Sequence, residues 1–185
     1  SVALSEVALR DSLWGDHGRS LVELQALYVR LNPFNLIRKK IDIRKVTAAD
    51  GYFYIFTDSS GYSNKYLLEG KREKKKKKGA DLSFRRFSLE HVTLMMRDYI
   101  KQKDFRIHFN DLEGTVEQKN KIWEAALKLS AHVQSFTFNT DKGSFLKGVA
   151  LRSNLDVRFD PDEKSLIVEN QQIRIDKSWI NISAS

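Results

Sequence analysis

The side chains that most often carry out chemistry in enzymes are sparse and scattered in this sequence. The four histidines, His17, His91, His108 and His132, lie far apart, and none forms an HExxH-type pair with a further ligand nearby. The absence of cysteine excludes disulfides, zinc-thiolate sites and cysteine nucleophiles. The sequence contains no Gly-x-Ser-x-Gly elbow, P-loop or dinucleotide fingerprint. We therefore expect a protein that is not an enzyme, with no catalytic residue and no cofactor.

Two groups of oxygen-bearing side chains deserve comparison with known metal and acid–base sites. Asp58, Ser60 and Asn64 have the composition of a calcium loop, but they lack the alternating acids and the terminal Glu of an EF-hand. The carboxylates between positions 156 and 163 flank a predicted hairpin turn, where solvated acids are common. Both groups are therefore interpreted as turns, and no metal site is predicted.

The net charge of +8 is concentrated in one short segment. Lys71 to Lys78 contains seven basic residues and one glutamate, so the rest of the chain is nearly balanced. Because like charges in an uninterrupted run repel one another, we expect residues 70–80 to form a flexible, solvated loop. Contact with anionic lipid head groups or with nucleic acid remains an alternative for this loop. The basicity is thus assigned to a loop and not to a face of the fold, and no nucleic-acid partner is expected.

Alternation of apolar and polar residues predicts strands along much of the chain. Trp123 to Val133 is the clearest case, and Val149 to Phe159 repeats the pattern with only Ser153 interrupting the apolar row. A period of two places these apolar side chains on one face of a sheet. This face is the candidate binding surface, and its predicted lining residues are Phe105, Ile107, Phe109, Ala125, Leu127, Leu129, Val133, Phe136, Phe138, Leu151, Leu155, Val157 and Phe159.

Two segments fit either a helix or a strand. Leu21 to Leu31 and Leu89 to Ile100 both contain apolar residues at helical spacing, but alternation within each favours a strand. A hairpin through Arg97 to Lys103 then leads into the strand that begins near Phe105. Pro33 to Arg38 is predicted to be a short helical turn, since Asn32 can cap it and proline suits a first helical position.

Turn signals separate these runs and set the fold class. They occur at Asp50-Gly51, at 58–61, at 141–143 and at 160–162. Strands joined by short turns pair with their sequence neighbours, which predicts an all-β antiparallel meander with one or two short helical turns. Residues 1–185 are expected to be a single segment of a larger protein. Alternation does not identify what covers the apolar face, so a two-sheet sandwich core and a one-sheet groove both remain open.

The order of several motifs resembles one protein family. The motifs are Leu27 to Phe34 with its Asn-Pro turn, Ile41-Asp42-Ile43, a strand opening at Gly51, and Asp58-x-x-Gly61-x-x-Asn64, followed later by Phe136 to Lys147. In this order they resemble the Bacteroidetes-type branch of the AsmA family of Gram-negative envelope proteins. The likeness extends over most of the chain, although the lysine run departs from the pattern.

The resemblance implies a fold, a location and a function. It implies that this segment follows a missing membrane-anchoring helix, lies in the periplasm and forms a curved, groove-like sheet. The implied function is to bind or conduct lipid acyl chains between membranes and so to contribute to outer-membrane lipid homeostasis. The alternative is a non-enzymatic scaffold that recruits a protein partner by β-strand addition. Homo-oligomerisation through exposed sheet edges is a further expectation for either function.

Overall fold

The computed structural model describes residues 1–37, 42–68, 85–119, 122–163 and 165–184, and these form one nine-stranded sheet. The strands lie side by side in the order of the sequence. They are β1 (Val2–Leu9), β2 (Val22–Leu31), β3 (Ile43–Thr57), β4 (Arg86–Asp98), β5 (Lys103–Lys119), β6 (Ile122–Thr137), β7 (Val149–Asp160), β8 (Ser165–Ile175) and β9 (Ser178–Ala184). The helices are short: α1 (Trp14–His17) and α2 (Pro33–Ile37), with 3₁₀ turns at Asn64–Leu67 and Thr140–Lys142. The all-β prediction is confirmed.

One strand pair departs from the predicted antiparallel meander. β3 and β4 are parallel, so Lys45 lies beside Arg86 and Thr57 lies beside Asp98, whereas every other neighbouring pair is antiparallel. A parallel pair cannot be closed by a tight turn, because the chain must return to the end where the first strand began. The connection between β3 and β4 contains the lysine run. The predicted flexible loop at 70–80 lies outside the described residues.

The predicted turn at Asp50-Gly51 is wrong, because β3 continues through it from Ile43 to Thr57. Asp50 has a positive φ of 54°, which bends the strand without reversing it. Gly51 is required by the close approach of β2, since a Cβ added there would lie 2.0 Å from the carbonyl oxygen of Glu23. The other predicted turns, at 58–61, 141–143 and 160–162, do separate elements of the structure.

The segments with ambiguous spacing are strands, as predicted. They form β2 and β4, and residues 99–102 make the turn that leads from β4 into β5. The helical turn predicted from Pro33 is α2, which ends at Ile37, while Arg38 lies outside the described residues. The side-chain Oδ1 of Asn32 accepts a hydrogen bond from the Phe34 backbone N–H at 3.2 Å, which is the expected capping contact.

No second sheet covers the first within the described ranges. Contacts between elements join neighbouring strands, and the other substantial contact is between β3 and the 3₁₀ turn at Asn64–Leu67. The described residues therefore form a single open sheet, and no sandwich. α1 and α2, with four and five residues, are too short to cross a lipid bilayer.

Candidate functional site: one apolar face of the sheet

The strand register places apolar residues in continuous rows across the sheet. Residues that are directly paired in neighbouring strands share one face. One row of paired positions crosses all nine strands, namely Leu4, Leu27, Ala48, Leu89, Leu112, Leu129, Ser153, Ile173 and Ile180. Two further rows run beside it on the first seven strands, one through Val7, Leu24, Gly51, Val92, Phe109, Ala131 and Leu151, and one through Leu9, Val22, Phe53, Leu94, Ile107, Val133 and Val149. We call this surface the apolar face.

A row of irregular positions crosses the first five strands between two of these rows. It consists of Glu6, Gln25, Asp50, His91 and Asn110, each lying between two paired positions of its strand. Glu6, Asp50 and His91 have positive φ, and the register of β5 with β6 shifts at Asn110. At this row, consecutive residues on the apolar face of each strand are therefore three positions apart and not two. We call these five positions the kink row.

Side chains on the apolar face shield one another in the middle of the sheet. Phe109 and Leu112 are each 8% exposed and Ala131 is 3% exposed, and the partly buried hydrophobic side chains packed against them come from β4, β5 and β6. Side chains on a flat, uncovered sheet stay accessible from above, so this burial indicates that the neighbouring side chains converge over the face. The apolar face is thus the inner side of the curvature in this region.

Side chains on the apolar face become more exposed towards β7. Leu127, Leu155 and Val157 are half-buried, and Phe159 and Trp123, which are paired, are 39% and 41% exposed. An apolar surface is therefore accessible at one end of strands β6 and β7.

The structure brings the predicted lining residues together. Ala125 pairs with Val157 and Leu127 pairs with Leu155, so the rows predicted separately on β6 and β7 form one surface. Leu129, Val133 and Leu151 continue the β6–β7 part of this surface, and Ile107 and Phe109 extend it onto β5.

An aromatic cluster lies at the far end of the predicted lining residues. Phe105 and Phe136 are paired, with ring centroids 4.7 Å apart. Phe138 lies one residue beyond the end of β6 and is 55% exposed, but its ring still contacts those of Phe105 and Phe136 at 5.3 and 5.1 Å.

The sequence prediction missed the half of the face that β1 to β4 contribute. Leu24 and Val92 are 4% and 0% exposed and belong to a cluster that includes Leu21, Val22 and Ala48. The kink row explains the omission, because Leu24 and Leu27, like Leu89 and Val92, are three residues apart and share a face. The recurrence of this spacing in five consecutive strands is the signal that could have revealed it.

A polar cap holds one end of the sheet, where β1 and β3 end. Asp11 is buried, and its carboxylate accepts hydrogen bonds from His17 Nε2 at 2.9 Å and from the Tyr62 hydroxyl at 2.7 Å. Burial and the bond to Asp11 raise the pKa of Tyr62. His17 Nδ1 accepts from the Arg19 backbone N–H, so Nε2 carries the proton. These groups satisfy one another inside the cap, and this arrangement is structural.

The Asp58-x-x-Gly61-x-x-Asn64 motif has a structural role in the same cap. Asp58 Oδ1 accepts hydrogen bonds from the backbone N–H and the hydroxyl of Ser60 and from the backbone N–H of Tyr62. The Ser60 hydroxyl is the main reason that the pKa of Asp58 is lowered. Gly61 has a positive φ of 94°. The interpretation of this segment as a turn is confirmed, and the described residues contain no cluster of acids and histidines suited to a metal ion.

The histidines on the strands lie on the polar face. His108 and His132 are paired, His132 is exposed, and His108 Nδ1 lies 3.0 Å from the Thr93 hydroxyl. His91 belongs to the kink row and lies 3.4 Å from the Asp50 carboxylate, with both side chains at least half exposed. None of these positions brings three ligands together.

A basic cluster lies at the end of the sheet opposite the cap, on the polar face. Pairing across β2, β3 and β4 places Arg30, Lys45 and Arg86 in one row, and Arg44 and Arg85 stand beside them around a cavity of about 540 Å³. The net charge is still concentrated in the lysine run, but the sequence analysis did not predict this local cluster of cations on one face. The parallel β3–β4 pairing brings these cations together from positions far apart in the sequence.

No protein-family model and no curated protein matches the chain.

Proposed function

We propose that this chain is a non-enzymatic β-groove that binds lipid acyl chains along its apolar face. The observation that carries the proposal is the continuity of this face across nine strands with no second sheet over it among the described residues; the 3₁₀ turn at Asn64–Leu67 packs against the β2–β4 part of the face through Leu67. At about 4.8 Å between strands, the row across nine strands extends for about 40 Å and the two rows across seven strands for about 30 Å, longer than an extended acyl chain of a dozen methylenes. An apolar groove needs no dedicated polar residue to bind such a chain.

The energetics favour an acyl chain as the occupant. Each methylene removed from water contributes about 0.8 kcal/mol, so a dozen contribute about 10 kcal/mol before ordering costs. The half-buried rows on β6 and β7 offer accessible apolar surface for this contact, and the aromatic cluster of Phe105, Phe136 and Phe138 borders them. Exposed apolar patches of more than a few hundred Å² are rare on monomeric proteins unless they bind something.

We place this groove in the periplasm as part of the proposal. The motif order shared with the AsmA family supports a periplasmic location, an anchor in the inner membrane and conduction of lipids between membranes. The role of the Asp58, Gly61 and Asn64 motif in closing the cap gives these shared residues a physical reason, since they terminate one end of the sheet. Lipid acyl chains are then the partners, and nucleic acid is not.

The proposal is tested by exchanging one side chain on each face of the same strand. Leu127→Asp places a charge on the apolar face, whereas Lys128→Asp changes the polar face one residue away. Fluorescent fatty-acid titration should show binding lost in Leu127→Asp and kept in Lys128→Asp. Because Leu127 is half-buried, its replacement should cost less stability than Val92→Asp, whose side chain is 0% exposed. Equal binding by wild type and Leu127→Asp contradicts the proposal.

A second candidate function follows from the outer edges of the sheet. β1 and β9 each have one neighbour in the described sheet, so their other edges offer backbone groups to an added strand. A scaffold that recruits a protein by strand addition, or a homo-oligomer, would use these edges. Lipid extraction followed by mass spectrometry separates the two functions, because a scaffold carries no stoichiometric lipid.

A further inference from the structure

The basic cluster concentrates five cations around one cavity at the end of the sheet. Arg30, Lys45 and Arg86 are directly paired neighbours, and like charges in such positions repel one another. Among the described residues, those that line the cavity include five cations and one carboxylate. Repulsion of this kind lowers the folding stability. Binding of an anion that relieves the repulsion therefore raises the folding stability.

The carboxylates near the cluster balance part of its charge. Asp42 lies in the same cavity. Glu113 and Asp156 line an adjoining cavity together with three of the cations, Arg30, Lys45 and Arg86. Asp42 Oδ2 accepts hydrogen bonds from the side-chain amides of Asn32 at 2.9 Å and Asn35 at 2.7 Å, and these bonds lower its pKa, with smaller contributions from Arg44 and Arg85. Asp42 therefore fixes the turn that carries α2. Glu113 lies 3.8 Å from Lys45 with 60% of its side chain exposed, which is a weak contact in water. An external anion can thus interact with the cluster.

An exposed aromatic residue stands beside the cluster. Phe34, the second residue of α2, is 74% exposed, and Pro33 shares one hollow with Arg30 and Arg44. The capping bond from Asn32 holds α2 in this position. Apolar rows reach the same end of the sheet, where Val2 is 47% exposed.

We propose that this end of the sheet docks on an anionic membrane surface, with the basic cluster on the lipid phosphates and Phe34 inserted among the head groups. Cations beside exposed apolar side chains are the composition of surfaces that bind at a bilayer interface. Arginine guanidinium groups match phosphate oxygens with paired hydrogen bonds. The three paired cations extend for only about 10 Å, a short footprint for a nucleic-acid backbone. The proposal is independent of acyl-chain binding on the apolar face.

Vesicle co-sedimentation tests the docking with matched variants. Arg30→Gln, Lys45→Gln and Arg86→Gln are combined, and the control combines Arg106→Gln, Arg152→Gln and Arg158→Gln, three exposed arginines on β5 and β7. The two variants have the same net charge, and both keep the lysine run. Each cation near an anionic surface contributes about fivefold, so the first variant should lose about a hundredfold in binding to phosphatidylcholine–phosphatidylglycerol vesicles. The control variant should bind like the wild type.

Insertion is tested separately at the two ends of the sheet. Phe34→Ser should weaken vesicle binding about tenfold, because an aromatic side chain loses its apolar contact. Phe145→Ser removes an aromatic residue that is 78% exposed near the opposite end and should change nothing. Circular dichroism of every variant verifies that the fold is kept.

Other outcomes overturn the proposal. Equal losses in both triple variants would mean that net charge governs binding and not the basic cluster. Inorganic phosphate that displaces the protein from vesicles at constant ionic strength would indicate a site for a free anion. Cluster-dependent binding to an oligonucleotide that is tighter than binding to vesicles would assign the surface to nucleic acid.

Discussion

Asn64 seals the part of β3 that extends beyond the end of β2, and its replacement should weaken the whole sheet. β2 begins at Val22, so the β3 backbone after Tyr54 has no strand partner on that side. Asn64 takes the place of a strand: its Oδ1 accepts from the Phe56 N–H at 3.0 Å, and its Nδ2 donates to the Tyr54 carbonyl at 2.7 Å. Asn64 is 0% exposed, so water cannot replace these bonds without a rearrangement.

The expected loss of stability in Asn64→Ala follows from the two backbone groups that it leaves unpaired, the Phe56 N–H and the Tyr54 carbonyl. A buried group without its hydrogen bond costs about 1–3 kcal/mol, and the Tyr54 carbonyl is the less buried of the two, so we expect a loss of about 2–4 kcal/mol. For a chain of this size, that loss lowers the melting temperature by roughly 5–15 °C. Urea unfolding followed by tryptophan fluorescence measures it, with the exposed Asn154→Ala on β7 as control.

The variant Asn64→Asp should make the stability depend on pH. An ionised carboxylate still accepts from Phe56 but repels the Tyr54 carbonyl, while a protonated one donates to it. Burial raises the pKa of the introduced acid above its unfolded value of about 3.9. The stability of this variant should therefore increase as the pH falls from 7 towards 4. A loss below about 1 kcal/mol for Asn64→Ala, or a flat pH profile for Asn64→Asp, would refute the role assigned to Asn64.

Three further changes test other parts of the structure. Gly51→Ala should destabilise the protein by about 2–4 kcal/mol in urea, because its Cβ would overlap the Glu23 carbonyl; Gly15→Ala, with nothing within 4 Å, should be almost neutral, and equal effects would contradict the close approach. Since the folded pKa of Asp58 lies below 3.8, the stability that its ionised carboxylate contributes is present above that pH and is lost as the pH falls through the folded pKa. Asp58→Asn should therefore flatten the acid side of a plot of unfolding free energy against pH. An unchanged acid side would contradict this role of Asp58. Replacing Lys71 to Lys78 with glycine and serine should leave the melting temperature almost unchanged, and a fall of many degrees would show that the run is packed.

The elements predicted best were those with local signals. Alternation on β6 and β7 needs no knowledge of distant residues, and both strands appear close to the predicted bounds. The cap at Asn32 and the turn at Asp58 also depend on neighbouring residues alone. Short-range hydrogen bonding and periodicity were therefore sufficient for these parts.

The features that were missed depend on long-range pairing. Nothing local distinguishes a parallel β3–β4 pair from an antiparallel one, and the basic cluster exists only because that pairing joins Lys45 to Arg86. The kink row was concealed because positive φ at Asp50 and His91 produces a three-residue apolar spacing that resembles a helix. The predicted residues on β5 to β7 therefore share one face of the sheet, whereas the apolar residues that β1 to β4 add to that face were not predicted.

The linear arrangement of the strands has a consequence for how the molecule opens. Each strand contacts its sequence neighbours, so stability accumulates from pairwise interfaces as it does along a repeat protein. The β3–β4 interface is the one joined across a separation of 41 residues, between Lys45 and Arg86, whereas the antiparallel pairs are closed by shorter connections. The buried cluster of Leu24, Ala48 and Val92 nevertheless spans this interface, so β2, β3 and β4 should open together as one cooperative unit. In hydrogen exchange, protection should therefore be continuous from β2 to β5 and decline towards both outer strands.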